Sequence, residues 1–249
     1  MYHFFPKEGS PKEHILYMKI AILFSGRIEK YDQHRTNIME RIVQEHDADF
    51  FLSHSPELSE DLDDFARIYR PKAINNDPIH FPDVSDYKCH PDTSKPHNVL
   101  SMWFNRRRVF QEMRNYMIQT DTWYDVVIHA RIDAWYDESL DYRAILQSGL
   151  DDRSVFVPHG YDWGGLNDQF AVGSYYSMES YMTLLDDIYN VLDHVTIPDL
   201  DIHENRNMPR AYYYGPEPGL KKHLELQGVL VHRFPFRYRL INGKVFHRP

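Results

Sequence analysis

The sequence lacks the features of several common protein classes. Its 249 residues include a single cysteine, Cys89, which excludes an internal disulfide framework and is typical of a reducing compartment. No run of about 18 apolar residues is present, and no basic-then-apolar signal peptide opens the chain, so we expect no membrane span and a cytoplasmic location. The formal net charge of −9 argues against a general nucleic-acid-binding protein.

Several catalytic motifs are absent as well. The sequence contains neither a dinucleotide-binding fingerprint nor a P-loop. It has no Gly-x-Ser-x-Gly elbow, which argues against a serine hydrolase of that type. Its 15 histidines include no His-Glu-x-x-His motif and no Cys/His ligand spacing, so we predict no zinc centre.

Apolar runs and helical periodicities alternate along the chain, and 42% hydrophobic residues are enough for a sizeable core. This alternation predicts one α/β domain with a mostly parallel central sheet and helices on both faces. We place the domain at residues 18–249, after a flexible N-terminal extension at residues 1–17. The predicted strands are 18–24, 48–54, 71–74, 125–133, 155–158, 169–173 and 229–234, and the predicted helices are 34–46, 57–69, 99–118, 139–147, 178–193 (capped by Ser177) and a segment bracketed by Pro218 and Gly228.

The predicted strand 125–133 carries polar groups on one face. Side chains alternate along a strand, so His129, Arg131 and Asp133 share a face opposite the apolar residues. Such groups are rarely buried unless they are paired or bind a ligand. In an open α/β sheet, ligands bind beyond the carboxyl ends of the strands, where Arg131 and Asp133 would lie. A buried Arg–Asp ion pair is the alternative, and the sequence does not decide between the two.

Three other segments are candidates for the same edge of the sheet. Ser25-Gly26-Arg27 follows the first strand, where a glycine permits either close approach to a ligand or a tight turn. Asn105-Arg-Arg-Arg108 lies in the first half of a predicted helix, from which one side chain could reach a diphosphate, and we assign Asn105 to donor binding. The glycine-rich segment Gly160–Asp168 ends in a carboxylate that could act as a general base, or could form an Asx turn or a helix cap.

A carboxylate at a strand end is also a candidate ligand for a hard cation. Asp133 could hold Mn²⁺ or Mg²⁺, which takes oxygen ligands from one or two carboxylates and from substrate phosphates. Arg131 could hydrogen-bond to phosphate or ribose beside it.

At this point the chain resembles a family of small glycosyltransferase-like proteins from polysaccharide-synthesis loci and large viruses. The resemblance covers most of residues 18–240. Four segments carry it: Lys19-Ile-Ala-Ile-Leu-Phe-Ser-Gly-Arg27, Tyr124-Asp-Val-Val-Ile-His-Ala-Arg-Ile-Asp133, Leu166-Asn-Asp-Gln-Phe-Ala-Val-Gly173 and Gly215-Pro-Glu-Pro-Gly-Leu-Lys-Lys-His-Leu224.

The resemblance implies a GT-A fold, a UDP- or GDP-linked sugar donor, a glycan or glycoconjugate acceptor and a divalent metal. The chain departs from the usual Asp-x-Asp motif, because Arg131 stands where the first aspartate would be, which leaves the metal dependence open. The roles carried over are nucleotide binding for Ser25, Gly26 and Arg27, metal binding for Asp133, the general base for Asp168 and acceptor orientation for Glu217.

These observations favour a glycosyltransferase of polysaccharide biosynthesis, with the leaving diphosphate stabilised by metal, by Arg131 or by both. Inverting displacement is preferred, because one base is enough for it. Two alternatives stay open: a non-catalytic nucleotide- or carbohydrate-binding module, and a metal-dependent phosphohydrolase that uses the same acids.

Overall fold

The computed structural model of the protein describes residues 17–26, 28, 31–55, 62–85, 88–89, 96–194 and 213–240. A π-helical turn, Met39–Val43, continues the first helix, and a 3-10 turn, Leu184–Asp187, lies between the fifth and sixth helices. The α-helices are α1 (Tyr31–Ile38), α2 (Leu62–Tyr69), α3 (Pro96–Thr120), α4 (Tyr142–Gln147), α5 (Tyr175–Met182), α6 (Ile188–His194) and α7 (Pro216–Leu226). The strands are β1 (Lys19–Ser25), β2 (Asp47–Ser53), β3 (Ala73–Asn75), β4 (Lys88–Cys89), β5 (Val126–Ala130), β6 (Ala134–Tyr136), β7 (Ser154–Pro158), β8 (Phe170–Gly173), β9 (Tyr213–Tyr214), β10 (Leu230–Phe234) and β11 (Tyr238–Leu240).

A seven-stranded sheet in the order β10-β7-β8-β5-β1-β2-β3 forms the centre of the molecule. All its pairings are parallel except those of β8, which runs antiparallel to both β5 and β7. The prediction of a mostly parallel α/β sheet is therefore confirmed. Two short pairs, β6 with β11 and β4 with β9, lie outside this sheet.

Hydrophobic side chains cover both faces of the sheet. Val127 of β5 belongs to the cluster built with α3, α5 and α7, whereas Val126 and Ile128 belong to the cluster built with α1, α2 and α4. This is the alternation that the sequence predicted for the strand. Helices cover both faces because each face carries a continuous apolar surface that has to be removed from water.

The strand predicted at residues 125–133 is shorter than expected. β5 ends at Ala130, and Arg131–Asp133 forms a turn into β6. The turn is fixed by hydrogen bonds that the local sequence does not reveal. The Tyr136 hydroxyl donates to the Arg131 carbonyl at 2.9 Å, and the Asn37 side chain bonds both the N–H and the C=O of Tyr136 at 2.8 Å.

The helix predicted at residues 178–193 is interrupted. It forms α5, the 3-10 turn and α6, and the break lies at Thr183, whose hydroxyl donates to the Glu179 carbonyl at 2.7 Å. The predicted cap was also wrong. Ser174 is the N-cap of α5, with its hydroxyl accepting from the Ser177 N–H, while Ser177 itself is buried in the first turn.

Parts of the predicted organisation lie outside the described residues. Residues 1–16 of the predicted N-terminal extension are among them, so the boundary at residue 18 stays a prediction. Within the part of the chain that the structure describes, no helix combines the length and apolar character needed to cross a membrane.

Candidate functional site

The carboxyl ends of the parallel strands meet at one edge of the sheet, and several predicted site residues lie there. β1 ends at Ser25 and β5 at Ala130, directly before Arg131. Because β8 is reversed, it starts at the same edge: Ala130 pairs with Phe170, two residues after Asp168. The reversed strand therefore brings Asp168 beside the end of β5, which is the location where ligands bind in open α/β sheets.

Ser25 and Gly26 form the tight turn at the end of β1. The Gly26 N–H donates to the Ser53 carbonyl at 3.1 Å, and its φ of +104° requires glycine. That amide is engaged with β2, and the predicted role of Gly26 in nucleotide binding stays a prediction. The Ser25 hydroxyl lies 3.0 Å from Nε2 of His129 and remains a candidate polar contact. Arg27 lies outside the described residues.

Asn105 connects α3 to the end of β2. Its side-chain oxygen accepts from the Ser53 hydroxyl at 2.9 Å and from Arg108 at 3.2 Å, while its amide nitrogen donates to the Ser101 carbonyl at 2.9 Å. Arg108 in turn donates to the carbonyl oxygens of His54 and Asp77. Both residues are buried, and this network holds the helix against the strand ends. The geometry thus gives Asn105 a positioning role, and its predicted role in donor binding stays untested.

Arg131 and Asp133 form a bidentate ion pair across the turn. Nε and Nη2 of Arg131 lie 2.7 and 2.6 Å from the two carboxylate oxygens of Asp133. Asp133 is buried, whereas a third of the Arg131 side chain is exposed. Burial lowers the pKa of Arg131, but its hydrogen bonds to Asp133 and the charges of Asp133 and Asp168 outweigh burial and raise it. The sequence left the ion pair and the ligand site as alternatives. The structure contains the ion pair, with part of Arg131 still accessible.

The donor set does not fit a cation held by protein ligands alone. Both oxygens of Asp133 are hydrogen-bonded to Arg131, so a metal ion would have to share this carboxylate with the guanidinium. Within residues 17–26, 28, 31–55, 62–85, 88–89, 96–194 and 213–240, no group of three or more His, Cys, Asp or Glu side chains could hold a metal ion. The metal-binding role of Asp133 stays a prediction.

Asp168 forms a buried ion pair with Arg106 of α3. Nη2 of Arg106 lies 2.8 Å from Oδ2 of Asp168 and also donates to its carbonyl, and both side chains are about 95% buried, with exposures of 4% and 5%. Nε and Nη1 of Arg106 are buried without a hydrogen-bond partner among the described residues. Unpaired N–H groups of a buried cation are costly and therefore rare away from ligand sites. The predicted alternative for Asp168, an Asx turn, is formed by its neighbour Asn167, which accepts from the Gln169 N–H at 2.9 Å.

Glu217 reaches the same region from the first turn of α7. Gly165 packs directly on the Glu217–Pro218 backbone, and the Leu166 N–H donates to the Glu217 carbonyl at 3.1 Å. Burial raises the pKa of Glu217 to about 8, and the neighbouring negative charge of Asp168 adds to the shift. At neutral pH Glu217 is therefore mostly protonated, next to Asp168, which is paired with Arg106. A protonated carboxyl group can donate a hydrogen bond, whereas the neighbouring carboxyl group paired with an arginine is available as a proton acceptor.

His129 lies behind these charges on β5. Burial lowers its pKa far below the ordinary value, and the charges of Arg106 and Arg131 lower it further, so the imidazole is neutral. Its Nδ1 atom is buried without a hydrogen-bond partner among the described residues. Because the charges of both Arg106 and Arg131 lower the pKa of His129, both guanidinium groups lie near this imidazole. Sequence reasoning did not select Arg106, because three consecutive arginines gave no signal to distinguish them.

The family assignment follows from a sequence comparison. The family described as a domain of unknown function, DUF7796, matches residues 16–201. The chain belongs to this family. The matched DUF7796 segment includes Ser25, Arg106, Arg131 and Asp168 but ends before Glu217.

This DUF7796 protein was also compared with curated sequences and with solved structures. No curated protein sequence matches the chain. Among solved structures, the apo-form glycosyltransferase GlyE of Streptococcus pneumoniae TIGR4 is similar over 86% of the present chain and 45% of its own, with 11% sequence identity and a TM-score of 0.37. The DUF7796 chain thus spans less than half the length of that structure.

The raised pKa of Glu217 predicts a pH-dependent stability. Because the folded state holds this proton more tightly, the free energy of unfolding should fall as pH rises from 4.5 towards about 8, by at most roughly 1.4 kcal/mol per pH unit. Glu217→Gln should abolish this slope. Thermal unfolding of wild type and variant across pH 5–9 measures the difference, with Glu225→Gln, an exposed site on the same helix, as the control. Equal slopes for wild type and Glu217→Gln would contradict the assignment.

Gly165 is predicted to be indispensable for the docking of α7. A Cβ atom there would overlap the backbone of Glu217 and Pro218, which cannot move aside as a flexible side chain can. Gly165→Ala should lower the free energy of unfolding by about 1–3 kcal/mol. Gly160→Asn is the matched control, because Gly160 has open space around it and a positive φ that asparagine tolerates. Equal losses for the two variants in urea unfolding would contradict the prediction.

Proposed function

We propose that the protein is a glycosyltransferase that moves a sugar from a nucleotide-diphosphate donor to an acceptor hydroxyl, on a glycan or glycoconjugate. One observation carries the proposal: two arginines and two carboxyl groups, one of which has a pKa raised to about 8, lie together at the carboxyl edge of the sheet. These are Arg106, Arg131, Asp168 and Glu217. The guanidinium groups suit a leaving diphosphate, and the carboxyl groups suit the activation of a hydroxyl.

On the donor side, Arg131 is assigned to the diphosphate. Its Nε and Nη2 atoms each use one N–H on Asp133, which leaves Nη1 and the second Nη2 hydrogen for phosphate oxygens. Asp133 thereby acts as the residue that orients Arg131. Arg106 adds positive electrostatic potential to the site. The Ser25 hydroxyl at the end of β1 is a candidate hydrogen-bonding partner for the nucleotide. The UDP- or GDP-linked nature of the donor remains part of the proposal.

On the acceptor side, Asp168 is assigned as the general base. Arg106 holds its Oδ2, while Oδ1 has no hydrogen bond to any described residue. Protonated Glu217 can donate a hydrogen bond that orients the acceptor. The acceptor oxygen forms a bond to the anomeric carbon as the bond from that carbon to the donor phosphate breaks. Asp168 takes the hydroxyl proton and the diphosphate leaves with the bonding electron pair, which inverts the anomeric centre.

Product analysis tests the proposal. The protein is incubated with UDP- and GDP-sugars and a panel of oligosaccharide acceptors, with and without Mn²⁺ or Mg²⁺. We expect nucleoside diphosphate together with an extended glycan for at least one donor. Release of inorganic phosphate would favour a phosphohydrolase, and nucleotide or glycan binding without turnover would favour a non-catalytic module. Absence of any binding or turnover across the panel would contradict the proposal, and the metal arms test the predicted role of Asp133.

A further inference from the structure

The loop between β7 and β8, residues 159–169, forms one wall of the site and has a role beyond carrying Asp168. Asp162 organises it: its Oδ1 accepts from the Asn167 N–H at 2.9 Å and is ion-paired with Arg233 of β10. The Asp162 carbonyl accepts from the Gly165 N–H at 2.6 Å. Asn167 in turn donates to the Gly160 carbonyl at 2.9 Å. The loop is thus fixed at both ends and in its middle.

This rigid loop presents an aromatic side chain to solvent. Trp163 is 61% exposed, although tryptophan is among the residues that contribute most when buried. Its φ is +41°, and that of Tyr161 is +57°, in the left-handed region that residues other than glycine rarely adopt. Backbone in this region is strained, and such strain is concentrated at ligand sites. The loop is well anchored, yet its backbone is strained at a residue whose side chain is exposed. This combination indicates a ligand-binding position.

The loop segment at Trp163 lies close to Glu217. One residue, Gly164, separates Trp163 from Gly165, so their Cα atoms are at most about 7.6 Å apart. Gly165 packs directly on the backbone of Glu217. The charge of Asp162, the residue before Trp163, also contributes to the raised pKa of Glu217. The loop that carries Trp163 therefore lies beside Glu217. Because this loop follows β7, it is three strands away from β1 and Ser25.

We propose that Trp163 is the platform of an acceptor subsite, on which a neutral sugar ring of the acceptor glycan stacks. One face of a pyranose presents several C–H bonds, and the negative face of an indole attracts them while both surfaces leave water. This inference deepens the glycosyl-transfer proposal and rests on it for the name of the ligand. A nucleobase could also stack on an indole, but the nucleotide is assigned to Ser25 and Arg131, at the ends of β1 and β5.

Equilibrium binding without turnover tests the subsite. Neutral di- and trisaccharides of varied linkage are titrated into the full chain and followed by saturation-transfer NMR and tryptophan fluorescence. UDP and GDP are titrated separately. Trp163→Ala should weaken binding of the recognised glycan about tenfold, which corresponds to about 1.4 kcal/mol, while Trp163→Phe should stay within about threefold. Nucleotide affinity should not change.

Trp123 provides a matched control. It is 65% exposed and lies between α3 and β5, at the opposite edge of the sheet, so Trp123→Ala should leave glycan binding unchanged. Equal effects of the two alanine variants, a loss of nucleotide rather than glycan binding in Trp163→Ala, or no glycan binding by wild type would each overturn the subsite. Trp163-dependent glycan binding with no sugar transfer would uphold the subsite and count against the glycosyltransferase proposal.

Discussion

Replacing Arg106 with methionine is expected to lower the free energy of unfolding by about 3–5 kcal/mol, because it leaves the carboxylate of Asp168 buried without its partner. Both side chains are almost completely removed from water, with exposures of 4% and 5%. Methionine preserves most of the aliphatic volume of arginine. The loss of stability therefore reflects the unpaired carboxylate of Asp168 and not a cavity. Urea unfolding followed by circular dichroism measures it.

Two further variants isolate the buried charge. Arg106→Met combined with Asp168→Asn should recover much of the stability, since no uncompensated carboxylate remains, and the effects of the single variants should not add. Arg107→Met is the matched control, because its ion pair with Asp186 lies at the surface and should contribute less than about 1 kcal/mol. If Arg106→Met costs no more than Arg107→Met, the ion pair does not hold the site together.

Replacing Asp168 with asparagine is expected to reduce sugar transfer by a factor of about 10²–10⁴, the usual contribution of general-base catalysis. Asparagine has the same shape and its oxygen can still accept from Arg106, but it cannot take the acceptor proton. Nucleotide affinity should change little, because the donor is assigned to Arg131. Steady-state kinetics measures kcat, and nucleotide titration measures binding.

Asp186→Asn serves as the control for this experiment, since that carboxylate is half exposed and belongs to the surface pair with Arg107. Its activity should match wild type. An Asp168→Asn protein that keeps most of its kcat would exclude Asp168 as the base. Thermal unfolding of the variant shows whether a loss of activity reflects chemistry or a damaged fold.

The fold class could be predicted because its signals are local. Alternating apolar residues in 125–133 and helical periodicity around 99–118 reflect single elements. They predicted the presence of β5 and α3, although β5 ends three residues earlier than expected. The direction of β8 has no comparable local signal. An antiparallel strand in a parallel sheet is set by its pairing with β5 and β7, and this reversal is what brings Asp168 to the site.

The site could be predicted only in part, because its details depend on contacts between distant segments. The Arg131–Asp133 pair forms across a turn held by Asn37 and Tyr136, not along one face of a strand as the sequence suggested. The sequence could not indicate which of three consecutive arginines reaches the site. In the structure Arg106 pairs with Asp168, whereas Arg107 and Arg108 have other partners. The Gly164-Gly165 pair is the sequence feature that could have indicated the close approach of α7. Only glycine fits at position 165, against the backbone of Glu217 and Pro218.

A crystal structure of the protein soaked with UDP or GDP, with and without Mn²⁺, tests the central claim most directly. We predict that the diphosphate lies at the carboxyl edge of the sheet, with a phosphate oxygen about 2.7–2.9 Å from the Arg131 guanidinium. The nucleotide should leave the Asp168 carboxylate accessible to an acceptor. A nucleotide bound elsewhere on the protein, or a diphosphate that does not contact Arg131, would contradict the account.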